Sequence, residues 1–296
     1  MNTAFADWRR LQQERVEVAL GGWVSAEAPA GLGDAMRYAV LDGGKRLRPL
    51  LALAAAEAVG GDAAMAMRAA CSVELIHAYS LVHDDMPCMD NDVLRRGKPT
   101  VHVQFGEAQA LLAGDALQAL AFELLVPDDL PPAQTALSAR LCRLLARAAG
   151  AAGMAGGQAI DLASVGARLD RASLEAMHRC KTGVLLQASV VMGASTGPTS
   201  PATMQHLASY GDALGLAFQV VDDILDVTTD SATLGKTAGK DAASDKPTYV
   251  SLMGLSDAQA CADRLLDQAH EALSLSGLDQ TQHLHELADW VGQRSS

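Results

Sequence analysis

Aspartates gather in two tight groups along this chain. In the segment SLVHDDMPCMDNDVLRRGKPT, Asp84, Asp85, Asp90 and Asp92 fall within nine residues. Pro87 lacks an N–H and its ring clashes with the carbonyl four residues back, so a helix entering this segment must break near Asp85, and Asp90 returns from a loop. The second group, LAFQVVDDILDV, places Asp222, Asp223 and Asp226 inside an otherwise apolar helical pattern. At ~100° per residue Asp222 and Asp226 stand ~40° apart on one face, with Asp223 ~60° from Asp226. Like charges at i,i+4 oppose helix formation by roughly 0.2–0.5 kcal/mol per pair, and by more where water is excluded. One Asp pair is commonly a solvated cap; two triplets in apolar surroundings require positive charge. Hard divalent cations such as Mg²⁺ prefer carboxylate oxygen and keep waters or phosphate oxygens as their remaining ligands. Two such clusters facing one cavity would hold a metal–phosphate cluster, and no His or Cys spacing offers a competing transition-metal site.

The cations lead the same way. The chain has six lysines, Lys45, Lys98, Lys181, Lys236, Lys240 and Lys246, all in GGKRLRP, RRGKPT, CKTG or LGKTAGKDAASDKPT. With Arg46, Arg48, Arg95 and Arg96 they form basic groups that could grip two polyanions. His77 lies seven residues before Asp84, so His77, Ser80 and Asp84 make one stripe. Surface ion pairing is the plainer account of any single Arg or Lys near an Asp; the concentration of all six lysines in four motifs favours anion binding.

The elements that position these residues are helices. The composition is 49% hydrophobic and 4% aromatic, rich in Ala and Leu, and the 296-residue chain is long enough for one large core. Periodicity predicts helices at about 4–20, 31–41, 47–59, 63–86, 106–125, 133–148, 151–163, 171–196, 201–229, 256–275 and 280–293. Pro87–Phe105 and Asp230–Pro247 interrupt them with charged, Gly-containing loops of the kind that carry chemistry. No internal repeat and no linker composition appear, so residues 1–296 read as one all-α domain. The net charge of −12 excludes a general electrostatic grip on nucleic acid or anionic lipid. Five scattered cysteines suggest neither disulfides nor zinc, and no apolar run approaches the ~20 residues of a membrane span. With a charged N-terminal stretch unlike a signal peptide, the expectation is a soluble cytoplasmic protein.

From LDGGKRLRP through HAYSLVHDDMPCMDNDVLRRGKPT and FGEAQALLAGDAL to CKTG, LAFQVVDDILDVTTDSATLGKTAGKD and DKPTY, the chain resembles the trans-isoprenyl diphosphate synthases, most closely the bacterial short-chain farnesyl type. The order and spacing of DDxxxxD and DDxxD are highly specific. Val93 departs from the pattern, where related enzymes often carry another Asp. The resemblance implies a bundle of long helices around a deep cavity, usually as a homodimer, and head-to-tail condensation of isopentenyl diphosphate with an allylic diphosphate. It further implies that Asp84, Asp85, Asp90, Asp222 and Asp226 hold Mg²⁺, three ions per site with substrate bound. Asp223 completes the second catalytic motif. Arg95, Lys181 and Lys236 would contact the allylic diphosphate; Lys45, Arg48, His77 and Arg96 would bind isopentenyl diphosphate; Thr182 and Gln219 would stabilise the allylic cation. Released diphosphate would take the proton.

In that family the fourth and fifth residues before the first Asp motif meet the growing tail; here they are Ser80 and Tyr79. A phenol at Tyr79 implies a fifteen-carbon product, with geranylgeranyl or geranyl diphosphate synthesis as alternatives. A class I terpene cyclase shares the first Asp motif, but its second mixes Asn, Ser or Thr with Glu, whereas here it is all Asp. A noncatalytic subunit commonly lacks one motif, and both are intact.

Overall fold

Residues 3–41, 43–167, 169–228 and 247–293 are described by a computed structural model of the chain, in which helices carry almost all regular structure. They are α1 (Thr3–Trp23), α2 (Leu32–Val40), α3 (Leu47–Ala58), α4 (Ala63–Asp84), α5 (Val101–Phe105), α6 (Glu107–Glu123), α7 (Thr135–Ala149), α8 (Met154–Ala163), α9 (Arg171–His178), α10 (Val184–Ala194), α11 (Pro201–Thr228), α12 (Tyr249–Met253), α13 (Leu255–Leu275) and α14 (Gln282–Gly292). The all-α architecture expected from composition is the one observed. Among the described residues no helix is long and apolar enough to cross a membrane.

Burial explains the layout. In α10, eight residues from Leu185 to Ala194 are buried, so this helix is apolar nearly all round and packs against α3, α4, α7 and α11. Small residues let the backbones approach: a Cβ on Gly193 would lie 2.0 Å from the Ala52 carbonyl oxygen. On the other side of α11 lies α13, and α6 packs on α4. Helices α4 and α11 therefore both flank α10 within one bundle.

Three local departures from the expected elements matter for the site. The stretch expected as one helix over 171–196 is divided by a wider π turn at Arg179–Gly183. The loop after Pro87 contains a two-stranded hairpin, β1 (Leu94–Arg95) with β2 (Lys98–Pro99), paired Leu94 to Pro99 and Arg95 to Lys98. Arg96 and Gly97 take φ of 52° and 75° in its turn, the left-handed pair that a two-residue antiparallel turn requires. The short α5 follows, closed by Gly106 at φ 89°. A strand pair this short has no alternating pattern to betray it in the sequence.

Candidate active site

The break at Pro87 falls where the sequence places it. Helix α4 ends at Asp84, Asp85 caps it, and the chain folds back so that the Asp90 N–H donates to the Asp84 carbonyl at 2.9 Å and the Asp92 N–H to that of Asp85 at 3.1 Å. Asp84 lines a cavity of about 360 Å³ together with Arg48, His77, Tyr79, Ser80, Met154, Lys181 and Thr182. Its carboxyl is pushed up to about 6, chiefly by burial; Lys181 opposes this, Asp90 adds to it, Arg95 opposes and Asp85 adds. The C-terminal ends of α4 and α11 carry the negative pole of each helix dipole, so the aspartates concentrate negative charge where the helices already supply it.

Asp85 points elsewhere. It is buried, and its two oxygens accept from Arg95 Nη2 at 2.6 Å and Nε at 2.8 Å. The hairpin turn places Arg96 over the Gly43–Gly44 backbone, where its Nη1 donates to the Gly43 carbonyl at 2.6 Å. A Cβ on Gly44 would fall 2.8 Å from the guanidinium nitrogens, so this approach requires glycine there. Val93, 59% exposed, stands outside the acidic group.

On α11 the second motif divides in the same manner. Asp223 is buried; it accepts from Gln219 Nε2 at 2.9 Å and from the Tyr249 N–H at 2.8 Å. Gln219 Oε1 in turn accepts from the Thr182 hydroxyl at 2.9 Å. Asp222 is half-buried, and its charge acts on Arg48, whose guanidinium burial holds below the usual arginine range against the pull of Glu74 and Asp222. Asp226 is 4% exposed, and among the described residues neither of its oxygens has a hydrogen-bond partner. A carboxylate buried in that state requires a cation.

The π turn holds Lys181 and Thr182 between the two motifs. Such wide turns mark functional sites because they displace side chains from the helical register. Here the displacement is fitted by glycines on both neighbours: a Cβ on Gly157 of α8 would lie 2.2 Å from the Lys181 nitrogen, and one on Gly215 of α11 would lie 2.7 Å from Gly183 Cα. Lys181 Nζ donates to Asp161 Oδ2 at 2.6 Å. A second, small cavity of about 60 Å³, lined by Asp161, His178, Lys181, Gln219 and Asp223, meets the first at Lys181.

The residues fit a hard divalent ion. The candidate ligands are carboxylate oxygens, and among the described residues Asp226 lacks the partner its burial requires. Among the described residues no three such groups converge closely enough to cage a metal by themselves. That suits Mg²⁺, which is usually held by one or two carboxylates and completed by substrate phosphates.

The polyprenyl synthetase pattern matches residues 29–284. The chain belongs to the polyprenyl synthetase family. It is 48% identical over 288 residues to the chloroplastic geranylgeranyl pyrophosphate synthase 7 of Arabidopsis thaliana, covering 95% of this chain and 81% of that one. It is 47% identical over 266 residues to the farnesyl diphosphate synthase of Escherichia coli K12, covering 88% and 89%. A geranyltransferase from Helicobacter pylori, solved with magnesium and isoprenyl diphosphate, superposes with a TM-score of 0.84 at 34% identity over 98% of this chain and 97% of that one. The fold is the isoprenoid synthase fold, and the family is one of Mg²⁺-dependent prenyltransferases that use isoprenyl diphosphates.

Of the residues singled out from the sequence of this polyprenyl synthetase, Asp84, Arg48, His77, Tyr79, Ser80, Lys181 and Thr182 come together around one cavity. Burial first, then the charges of Arg48, Arg96, Arg95 and Arg46, hold His77 well below the usual histidine range. Ser80 spends its hydroxyl on the His77 carbonyl at 2.9 Å. Lys45 is exposed at the start of the segment leading into α3. Lys236, with Lys240, Lys246 and most of the second interruption, lies outside the described residues. Arg46, grouped with the anion-binding cations by its motif, is instead a core residue at 4% exposure: it pairs with Glu74 at 2.6 Å and Glu17 at 2.7 Å, and its φ of 50° turns it away from Lys45 and Arg48. Two polar residues of α8 escaped the sequence reading. Asp161 holds Lys181, and Gln158 lines the larger cavity with its amide unpartnered among the described residues. Their spacing of three inside GGQAIDLA, a run otherwise without polar residues, was the available signal.

Proposed function

We propose that the chain is a Mg²⁺-dependent short-chain prenyltransferase that condenses isopentenyl diphosphate head-to-tail with dimethylallyl and then geranyl diphosphate, giving mainly farnesyl diphosphate. The observation that carries this reading is Tyr79, whose ring lies in the wall of the 360 Å³ cavity, five residues before Asp84 and only 8% exposed. A phenol in that position removes the space a fourth isoprene unit needs.

Asp84, Asp90, Asp222 and Asp226 would hold the Mg²⁺, three ions per site with substrate bound; Asp85, the fifth ligand the resemblance implies, instead has both oxygens on Arg95. When bound, the metal neutralises the diphosphate that leaves the allylic carbon. Lys181 and Arg95 add fixed positive charge to the same diphosphate, and Lys236 belongs with them by its motif. Asp161 and Asp85 keep those two cations aimed. Because the Thr182 hydroxyl donates to Gln219, its lone pairs are left for the electron-poor allylic carbon, where a dipole stabilises charge without capturing it. Lys45, Arg48 and Arg96 meet isopentenyl diphosphate; His77, neutral in this setting, meets it as a hydrogen-bond donor rather than as a cation. Apolar walls exclude the water that would quench the cation.

The test is incubation with Mg²⁺, isopentenyl diphosphate and each allylic starter, followed by chromatography of the dephosphorylated products. A fifteen-carbon alcohol is expected; a twenty-carbon one would support the second reading, geranylgeranyl diphosphate synthesis, which the name of the Arabidopsis relative favours. No pyrophosphate release would sink both. Tyr79→Ala should shift the product to twenty carbons, since apolar walls favour each added CH₂ by about 0.8 kcal/mol. We also read the protein as a cytoplasmic homodimer of single-domain chains, to be tested by fractionation and light scattering.

A further inference from the structure

Tyr79 does not stand alone. The His83 ring meets it edge-on, with centroids 5.7 Å apart and planes at 77°, and both rings line the cavity. They are one helical turn apart on α4. The imidazole is fixed from behind by α6: its Nε2 lies 3.1 Å from the Leu111 carbonyl oxygen, and because a carbonyl can only accept, Nε2 carries the proton. The ring also rests directly on the Gly114 backbone. A Cβ on Gly114 would fall 2.1 Å from Nε2, 2.5 Å from Cδ2 and 2.8 Å from Cε1, distances no side chain tolerates. Gly114 thus has a normal helical backbone but no permissible side chain while His83 keeps this place.

We infer that His83 is a second residue setting product length: seated on Gly114 and tethered to Leu111, it braces the Tyr79 phenol, so that the floor of the cavity is an edge-to-face ring pair anchored on α6. This rests on the reading of Tyr79 as the floor given above. The tail of a growing isoprenoid presses on a side chain that can swing about χ1; the imidazole occupies the volume into which the phenol would otherwise retreat. His83 acts through Tyr79 and is a positioning residue for specificity. Gly114 sets how far the imidazole stands from α6.

The experiment is the product distribution of the full chain with Mg²⁺, isopentenyl diphosphate and dimethylallyl diphosphate, for the parent, Tyr79→Ala, His83→Ala, their double variant and Gly114→Ala, with circular dichroism to establish that each is folded. His83→Ala should raise the twenty- to fifteen-carbon ratio about two- to tenfold, the factor an aromatic pair is worth. The double variant should shift it no further than Tyr79→Ala alone. Gly114→Ala drives the imidazole towards the phenol and should raise the ten- to fifteen-carbon ratio instead. If Tyr79→Ala lengthens the product while His83→Ala leaves the parent ratio, or if the two changes simply add, the brace is overturned and the floor reading stands. If Tyr79→Ala leaves the product unchanged, the floor reading falls and the brace with it. Should His83→Ala not fold, Gly114→Ala decides: a folded variant with the parent distribution overturns the inference.

Discussion

Replacing Asp84 by Asn should abolish most turnover and at the same time stabilise the metal-free protein. Burial lifts the Asp84 carboxyl from 3.8 to about 6. A group whose folded pKa is raised contributes fully below its unfolded pKa and loses that contribution as pH rises through the folded one. Above about pH 6 the ionised carboxylate is therefore a burden on the fold. The two-unit shift corresponds to at most about 3 kcal/mol at 1.36 kcal/mol per unit, and partial exposure reduces this to roughly 1–2 kcal/mol. With an unfolding entropy near 0.6 kcal/mol/K for a chain of this size, Asp84→Asn should melt about 2–3 °C higher than the parent at pH 8 in chelator. Asparagine imitates the protonated acid, so the difference should vanish near pH 4. Adding Mg²⁺ and pyrophosphate should raise the parent's melting temperature and reverse the ranking, while pyrophosphate release falls by orders of magnitude, since what is lost is charge stabilisation in the transition state. Calorimetry at the two pH values measures the first effect and a coupled phosphate assay the second. A metal-free variant less stable than the parent at pH 8, or a gain that persists at pH 4, would refute the argument that Asp84 is a buried carboxylate awaiting a cation.

Other changes separate the remaining parts. Lys45→Ala and Arg48→Ala should chiefly raise KM for isopentenyl diphosphate by roughly tenfold or more, the worth of one charged hydrogen bond, and leave that for the allylic substrate near the parent value; equal effects on both in steady-state kinetics would break the assignment of two anion sites. Arg46→Ala strands Glu74 in the core and should cost about 3–5 kcal/mol, about 5–8 °C in melting temperature, whereas an anion-binding Arg46 would instead raise a KM without lowering stability. Excess chelator should abolish condensation, and restored Mg²⁺ should recover it; undiminished activity in chelator would remove the metal from the reaction.

Much of the site was legible because its signals were violations of local preference. Aspartates at i,i+4 in an apolar helix, a proline directly after an Asp pair, and lysines confined to four motifs have no structural use that compensates them, so function was the economical explanation. What could not be read depends on partners far away in sequence. Arg46 and Arg48 lie two residues apart in one basic run, yet only the left-handed turn at Arg46 sends it to Glu74 in the core. The π turn at Arg179–Gly183 follows a pattern that remains helical throughout, and the glycines on α8 and α11 that make room for it lie far away in sequence. The hairpin that carries Arg95 and Arg96 has two residues in each strand, too few for any periodicity.

The two Asp pairs share a logic that motif spacing alone conceals. Neighbouring residues on a helix differ by ~100°, so Asp84 and Asp85 cannot face one point, nor can Asp222 and Asp223. In each pair the first aspartate turns its charge on the cavity's surroundings: Asp84 lines the cavity, and the charge of Asp222 acts on Arg48 in its wall. The second aspartate ties down the chain that follows. Asp85 takes two nitrogens of Arg95 and so fixes the hairpin; Asp223 takes the Tyr249 N–H at the start of α12 and at the same time orients Gln219. One carboxylate is spent on cations and the next on the segment that delivers cations or dipoles to the same place. This division explains why each motif opens with an acidic pair rather than a single Asp, and why replacing either second aspartate by Asn should disturb the orientation of Arg95 or Gln219 instead of removing a metal ligand.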